Sequence, residues 1–582
     1  RAQGVIRMSV PTGPKAHDTN VDLLVVGSGS GLATALYANS LGLKTLVVEA
    51  SEYVGGSLSM SGGAFWVPGN HVLRRSGFND TVERGLEYVE SLVPEDAPRE
   101  RWEAQIKYGP EAIRALDKLT DLKLFWSKGY SDYHPENPGG ASIGRTCEAR
   151  PFDLKQLGEE RDRFHPTAVA APFPMPMTGY DYKWVNLITK TPMKSFPISA
   201  MRTIQGVGGL LFGKEYVATG QATAGGMFLA TIKKHIPVWT RCPMTSLITD
   251  DSGNVTGAVV KQDGQEYTIN ASRGVVLAGG GFDHNVEWRM KYQSESLTDD
   301  NSMGNSENNG DTISIPVEQV GAKTGFMDQA WWFPAMAPLH RVDQPKITLA
   351  ERSLPGSFMV DQTGRRFINE AEDYMTFGNE VLAMREEGRA NEMWIIFDQK
   401  YKMSYIFGSE VFPGMPLPKE WYEAGVAFKA KTPAELARKI GVPEDAFTEQ
   451  FDEFNQDAQA GIDSRFKRGD SKYDNYYGDP TNKPNPNLRP LSGQLYAVKM
   501  VISDLGTCGG LMTDANGAVV REDDTPITGL YAQGNNAANY FGTVYPGAGA
   551  TIAQGLVNGY IIANHAAGTP LDGVAGSTVM KG

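Results

Sequence analysis

The chain has 582 residues, 41% of them hydrophobic and 21% charged, and a formal net charge of −13. That length exceeds what one hydrophobic core supports, the composition is that of a globular protein, and the acidic balance excludes a general nucleic-acid binder. Cys147, Cys242 and Cys508 are too dispersed for a disulfide scaffold, the eight histidines show no metal-ligand spacing, and no run of about 18 apolar residues marks a membrane span.

Taken in chain order, Arg1 to His17 hold no apolar core of the kind a signal peptide needs. Residues 22–26 form an apolar strand that ends in Gly27-Ser28-Gly29-Ser30-Gly31-Leu32. Residues 33–41 follow with helical spacing, Gly42 caps them, and 43–48 make a second strand closed by Glu49. This is a βαβ unit with a glycine turn at a helix N-terminus. Such a turn lets the backbone approach a pyrophosphate, and the helix dipole and its free N–H groups hold the charge. Glu49 stands where a ribose hydroxyl is accepted, so the unit reads as a dinucleotide site. The pattern departs from GxGxxG in one respect: Leu32 occupies the third glycine position and Gly31 comes one place early.

A second cluster, Gly55-Gly56-Ser57 to Ser61-Gly62-Gly63, is more than NAD binding requires. Residues 130–140 are a loop carrying Tyr130, Tyr133 and His134. Residues 183–214 reverse the charge of the chain: Lys183, Lys190, Lys194, Arg202 and Lys214 are interleaved with apolar residues, without any Asp or Glu. This segment reads either as a membrane-contacting element or as packed helices with solvated lysines. Residues 274–278 are a strand running into Gly279-Gly280-Gly281. The polar run 297–305 and the Asn/Pro-rich 479–487 are candidate domain edges. Between them lie Trp331, Trp332, Phe333, Met327 and Met336, candidates for an apolar pocket or for ordinary core, and the segment from Arg365 to Tyr374. The last motifs are a strand closing on Gly534-Asn535, and Tyr545-Pro546-Gly547-Ala548-Gly549 leading into a helix over 551–565. From Thr569 onward the residues are small and polar, as in a loosely held end.

Together these motifs resemble the FAD enzymes of the fumarate reductase and succinate dehydrogenase superfamily. Within it they are similar to the 3-ketosteroid Δ1-dehydrogenases, over nearly the whole chain from Asp22 to about His565. The resemblance implies an α/β fold, a Rossmann-like FAD-binding domain formed by 18–296 and 492–582 with an inserted α+β catalytic domain over 297–491. It implies FAD contacts from Gly27, Ser28, Gly29, Gly31, Leu32, Glu49, Ala50, Gly55, Gly56, Ser57, Ser61, Gly62 and Gly63. Further contacts are implied for Met244, Ala278, Gly279, Gly280, Gly534, Asn535, Ala550, Thr551 and Ile552. Tyr374 stands where the family carries its tyrosine base. Tyr545 and the Gly549 N–H take the place of the donors to the steroid C3 carbonyl. Tyr133 is assigned the supporting hydrogen bond to the base, with Tyr130 lining the pocket and Tyr130 or His134 as alternatives for the supporting role.

The implied chemistry is self-consistent. A free tyrosine has a pKa of about 10, too high for a base at neutral pH, and a hydrogen bond to the tyrosinate lowers it. Donors at the carbonyl acidify the C2 proton, one such donor being worth roughly 3–4 kcal/mol of barrier. The expected partners are a steroid and an unidentified electron acceptor. The 183–214 segment is similar to the membrane-associated region of enzymes acting on cholest-4-en-3-one, so a cytoplasmic protein peripheral to the inner face of the membrane is expected. Three alternatives stand beside this reading. A Δ4-dehydrogenase of 5α-reduced 3-ketosteroids should lack the Tyr545–Gly549 element, and a fumarate-reductase-like enzyme should carry Arg at Tyr374. A flavin-binding module without turnover would hold flavin that no steroid reduces.

Overall fold

A computed structural model describes residues 12–13, 19–166, 174–569 and 571. The expectations for the first 17 residues and for the chain end fall largely outside them. Strand β1 (Asn20–Val26), helix α1 (Gly31–Ser40) and strand β2 (Thr45–Val48) form the βαβ unit at the positions read from the sequence. Leu23, Leu24 and Val25 are fully buried: Leu23 and Val25 enter one core and Leu24 the core on the opposite face, which leaves no polar side to alternate with. Helix α2 (Arg99–Leu119) packs on α1, and α3 (Gly179–Asn186) and α4 (Pro192–Leu211) pack on each other. The chain returns to the sheet with β3 (Gln265–Leu277), which pairs with β1 in parallel. Helix α5 (Asp311–Val320) packs Ile313 into the core of this same sheet.

A second, antiparallel sheet follows. Its strand β4 (Ala330–Met336) is buried along its whole length. Helix α6 (Tyr374–Glu386) lies across β4 at close range: a Cβ at Gly378 would come 2.2 Å from the Trp332 Cβ. That approach fixes Tyr374, one turn earlier on the same helical face, against Phe333, with ring centroids 6.1 Å apart. Strands β5 (Met393–Asp398) and β6 (Leu495–Thr507) complete the centre of the sheet, with β6 paired to both β4 and β5. The last strand of the first sheet, β7 (Pro526–Ala532), pairs in parallel with β3, and α7 (Ala550–Ala566) packs on α1.

The fold is the expected α/β one, and two edges move. β6 was assigned to the nucleotide-binding part, which was to resume at 492, yet its strand ladders are all with strands of the second sheet. Conversely, 311–320 was placed in the inserted domain, but α5 packs on the first sheet. Strand pairing and apolar packing, not the polar composition of the connectors, decide which sheet a segment joins.

The register brings four strand ends level: Val26 faces Val48 and Leu277, and Leu277 faces Ala532. The chain leaves those ends at Gly27, Glu49, Ala278 and Gln533, so the chemistry-bearing loops cluster at one edge of a parallel sheet, where such folds bind ligands.

Candidate active site

One cavity runs from these loops to a group of tyrosines. Its wall includes Gly27, Ser28, Gly29, Glu49, Ala50, Gly56, Ser57, Ser61, Gly62, Gly63, Met244, Ala278, Gly279, Gly280, Gly534, Asn535, Gly549, Thr551 and Ile552, and it reaches Tyr130, Tyr133, Tyr374 and Tyr545. Four residues expected at the cofactor stand behind the wall. Leu32 is buried core, Ala550 is covered inside the first turn of α7, Gly31 packs α1 against Val25, and Gly55 turns toward Ser59. At Gly31 and Gly55 the missing side chain serves packing, since a Cβ would come 2.8 Å from Val25 and from Ser59 respectively.

At the nucleotide end the Glu49 carboxylate accepts from Ser28 N (3.1 Å), Ser28 Oγ (2.5 Å) and Ser51 N (2.9 Å). Burial raises its pKa, and those three hydrogen bonds oppose the shift. Helices α1 and α7 both present N-termini to the cavity, and neither cap residue, Ser30 or Gly549, makes a side-chain capping bond. Two sets of first-turn N–H groups and two dipoles therefore favour an electron-rich ligand. At Gly62 an added Cβ would meet nothing within 4 Å, although the residue lines the cavity: the glycine leaves room that any side chain would occupy. Glycine cradle, ribose-accepting carboxylate and helix N-termini fit FAD.

At the other end, three distant segments are pinned together. Tyr88 Oη donates to Pro546 O (2.7 Å) and Tyr133 N to the same oxygen (3.0 Å), joining the 130–134 loop to the 545–549 loop. Trp66 Nε1 donates to Asp132 (2.8 Å), while Trp66 N donates to Gly549 O (3.2 Å). Gly549 needs its φ of +95°, and a Cβ there would come 2.7 Å from Ala64 backbone atoms, so no other residue fits. Tyr374 opens α6 behind its cap Asp373, which accepts from Thr376 N (3.2 Å). The preceding segment is anchored by the buried Arg366, which donates to Glu370 (2.6 and 2.9 Å) and to Asp463 (2.9 and 3.2 Å).

The Tyr374 hydroxyl is buried and no hydrogen bond closes on it. Burial pushes its pKa up, while the Arg352 charge and the Tyr130 hydroxyl act in the opposite direction. The Tyr545 hydroxyl is pushed up to about 12 by burial, against the Thr551 hydroxyl and the Gly549 N–H, both of which favour its ionised form. No hydrogen bond from Tyr130 or Tyr133 closes on Tyr374 among the described residues, and of the two it is the Tyr130 hydroxyl that lowers its pKa. Tyr133 contributes a ring instead, packed between Tyr545 and Tyr374 at centroid distances of 5.0 and 6.0 Å. Two positions in a loop that alternates direction are hard to separate by spacing alone.

Tyr477 was not anticipated: it lines the cavity and donates to Tyr130 Oη at 2.9 Å. Its only signal was a Tyr-Tyr pair close to a polar connector. Asn305, the last residue of the polar run taken for a domain edge, is also on the wall, with Asn308 and Thr312 just beyond that run. Trp331, Trp332, Phe333 and Met336 are core rather than wall, and Ile347, Leu349 and Leu505 supply the apolar surface. Trp331 still acts on the site at one remove: its Nε1 donates to Asn535 (2.8 Å) and its ring meets Tyr545 at 4.7 Å.

The FAD binding domain family matches residues 22–552. A 3-oxosteroid 1-dehydrogenase of Mycolicibacterium smegmatis is 39% identical, over 94% of this chain and 97% of that protein. A 4-oxocyclohex-2-ene-1-carboxylate 5-dehydrogenase of Sinomonas cyclohexanicum is 34% identical, over 93% of this chain and 92% of that protein. The solved 3-ketosteroid Δ1-dehydrogenase of Sterolibacterium denitrificans, in complex with 1,4-androstadiene-3,17-dione, superposes with a TM-score of 0.88 at 34% identity, covering 95% of this chain and all of that one.

Proposed function

The chain belongs to the FAD-binding family of the 3-ketosteroid Δ1-dehydrogenases, and from that premise we propose that it removes hydrogen from C1 and C2 of a neutral 3-ketosteroid. The observation that carries the substrate class is the composition of the wall. Among the described residues no Lys, Arg or His lines the cavity, and the carboxylates Glu49, Glu148, Glu307 and Asp311 do. A carboxylate-bearing ring ketone, or a dicarboxylate, would enter a site with no cation to pair it, at a cost of several kcal/mol. A neutral steroid meets apolar side chains and phenols.

Within that reading each tyrosine has a task. Tyr374 Oη takes the C2 proton. Tyr545 and the Gly549 N–H donate to the C3 oxygen, where negative charge grows as the proton leaves. Because the Tyr545 oxygen accepts from Thr551 Oγ1, its own proton is free for the carbonyl. Tyr477 donates to Tyr130, which sharpens Tyr130 as a donor to the Tyr374 phenolate. FAD, held by the glycine loops, Glu49 and the termini of α1 and α7, supplies the hydride acceptor when bound. The test is a comparison of kcat/KM for a neutral 3-keto-4-ene steroid and for 4-oxocyclohex-2-ene-1-carboxylate, with an artificial electron acceptor. A preference for the steroid of about a hundredfold or more is expected from the unpaired carboxylate. Preference for the acid would contradict the proposal.

The same reading extends to how the substrate arrives. Helix α4 turns a stripe of apolar side chains outward, with Met193, Phe196, Ile204, Leu211 and Phe212 all more than 60% exposed. Its opposite face is tied down by Arg202, which donates to Asp181 of α3 at 2.6 Å. Lys183 and Lys194 both lie over the Trp184 ring, at 5.0 and 3.8 Å, and neither has a carboxylate partner among the described residues. Among those residues no helix is long and apolar enough to cross a membrane. α4 instead lies in the interface of an anionic bilayer, its stripe among the acyl chains and its lysines at the headgroups. Gly179, which opens α3, lines the cavity, so this flank is the entry for a steroid that keeps a C17 side chain. Replacing Phe196, Leu211 and Phe212 together by Ser should abolish flotation with phosphatidylglycerol vesicles; unchanged flotation would contradict the membrane reading.

A further inference from the structure

Arg352 is 1% exposed, and no carboxylate lies within ion-pair distance of it among the described residues. Its Nη1 donates to two carbonyls, Glu370 O (2.7 Å) and Glu372 O (2.5 Å), in the segment that leads into α6. Its Nε has no partner. The guanidinium carbon stands 5.1 Å from the centre of the Tyr374 ring. The acids around it are engaged elsewhere. Glu370 is held by Arg366, Asp474 accepts from Asn369 and the Gly469 N–H, and Asp373 caps α6 and meets His134 at 3.3 Å. Glu351, next in the chain, faces Tyr182 and Gly408 N. Glu372 is pushed up to about 8 by burial and neighbouring acids, so it carries its proton at neutral pH.

A buried cation without a counter-charge is costly and calls for an explanation. We propose that Arg352 is a positioning residue for the base, its guanidinium taking the Tyr374 phenolate as the counter-charge that the resting site lacks. The geometry suits this. A cation near the face of a phenol ring is attracted more strongly once the ring carries negative charge, and burial keeps water from screening the pair. The two carbonyls fix the guanidinium to the segment that carries Tyr374, so the distance is set by a few residues of chain. The charge also makes the base available without a basic side chain in the cavity, where it would attract anions. This inference rests on Tyr374 being the base.

The test separates the charge of Arg352 from its packing, using the FAD-loaded enzyme and a 3-keto-4-ene steroid. The rate of anaerobic flavin bleaching is followed against pH for the unaltered protein, Arg352→Gln and Arg352→Lys. Bleaching by the unaltered protein, and its loss in Tyr374→Phe, test the functional reading by themselves. In Arg352→Gln, which keeps a donor but no charge, the pH of half-maximal rate is expected to rise by about one unit or more, as for loss of an opposite charge a few ångströms away. Steroid affinity, read from the flavin spectrum, should change less than the rate. Arg352→Lys should keep the profile of the unaltered protein to within about half a unit, since the charge stays. An unshifted profile in Arg352→Gln overturns the proposal. So does a profile in Arg352→Lys that shifts as far as the Gln variant's. Should Arg352→Gln not fold, Arg352→Lys alone decides, and a shift of about one unit or more in it is the contrary result. Glu351, Asp373, Asp474 and Tyr130 face the same region and are present in every variant, so their titration is common to all profiles.

Discussion

Thr551 Oγ1 donates to Tyr545 Oη at 3.0 Å, across one and a half turns of chain that contain the Gly549 kink. The bond fixes which way the phenol proton points. Thr551→Val removes it while leaving volume and helix start in place, so the Tyr545 proton loses its orientation. A loss of about three- to tenfold in kcat is expected, the usual worth of one hydrogen bond. Steady-state kinetics on the two proteins checks it.

Tyr374→Phe removes the proton acceptor and leaves the ring stack with Tyr133 and Phe333 intact. Flavin reduction should fall by about a hundredfold or more, the usual range for loss of a general base, with little change in thermal stability. Stopped-flow absorbance on the FAD-loaded variant measures the first, and a melting curve the second.

The βαβ unit was legible because each of its signals is local: strand, glycine turn, helix and terminal acid follow one another within 28 residues from Asp22 to Glu49. The pinning of 130–134 to 545–549 through Pro546 O was not, since nothing in either segment announces a partner more than 400 residues away. The surroundings of Tyr130 were hidden for the same reason: Tyr476 stacks on it and Tyr477, 347 residues further on, hydrogen-bonds to it. The exposed stripe of α4 was half-legible. Apolar spacing marked it, but only the ion pair of Arg202 with Asp181, just outside the charge-reversed run, shows which face points in.

Burial raises the pKa of Tyr374, the proposed base, so its protonated form dominates at neutral pH. The rate of flavin reduction should therefore rise with pH, by about tenfold per unit until the base is ionised, and level off. Rapid-mixing rates across the alkaline range test this; a rate that falls as pH rises would point to an acid in Tyr374's place.

Glu351 makes a separate prediction about stability. Its carboxyl is fully buried, with one oxygen unpartnered, and burial raises its pKa to about 7. A raised carboxyl pKa means the folded chain holds a proton that the unfolded chain releases. Its contribution is fully present below the unfolded value near 4.5 and is lost as pH rises through about 7. The loss is at most about 3 kcal/mol. Glu351→Gln should flatten the pH dependence of the unfolding midpoint over that window and be the more stable protein above it.

Gly62 tests the cofactor cradle. Gly62→Leu places a side chain in cavity space that no protein atom approaches within 4 Å. The variant should fold and purify with little flavin, read as the ratio of visible to ultraviolet absorbance. Normal flavin content would place the ring elsewhere.

The proposed reaction at the tyrosine-lined cavity takes hydrogen from C1 and C2 of a neutral 3-ketosteroid. Its most direct test is anaerobic addition of one equivalent of a 3-keto-4-ene steroid to the FAD-loaded protein, followed in the flavin's visible band, with the released steroid identified by NMR. The band should bleach and the steroid should carry a new 1,2 double bond. A band that stays oxidised with every neutral 3-ketosteroid, or a product unsaturated at any other position, would contradict it.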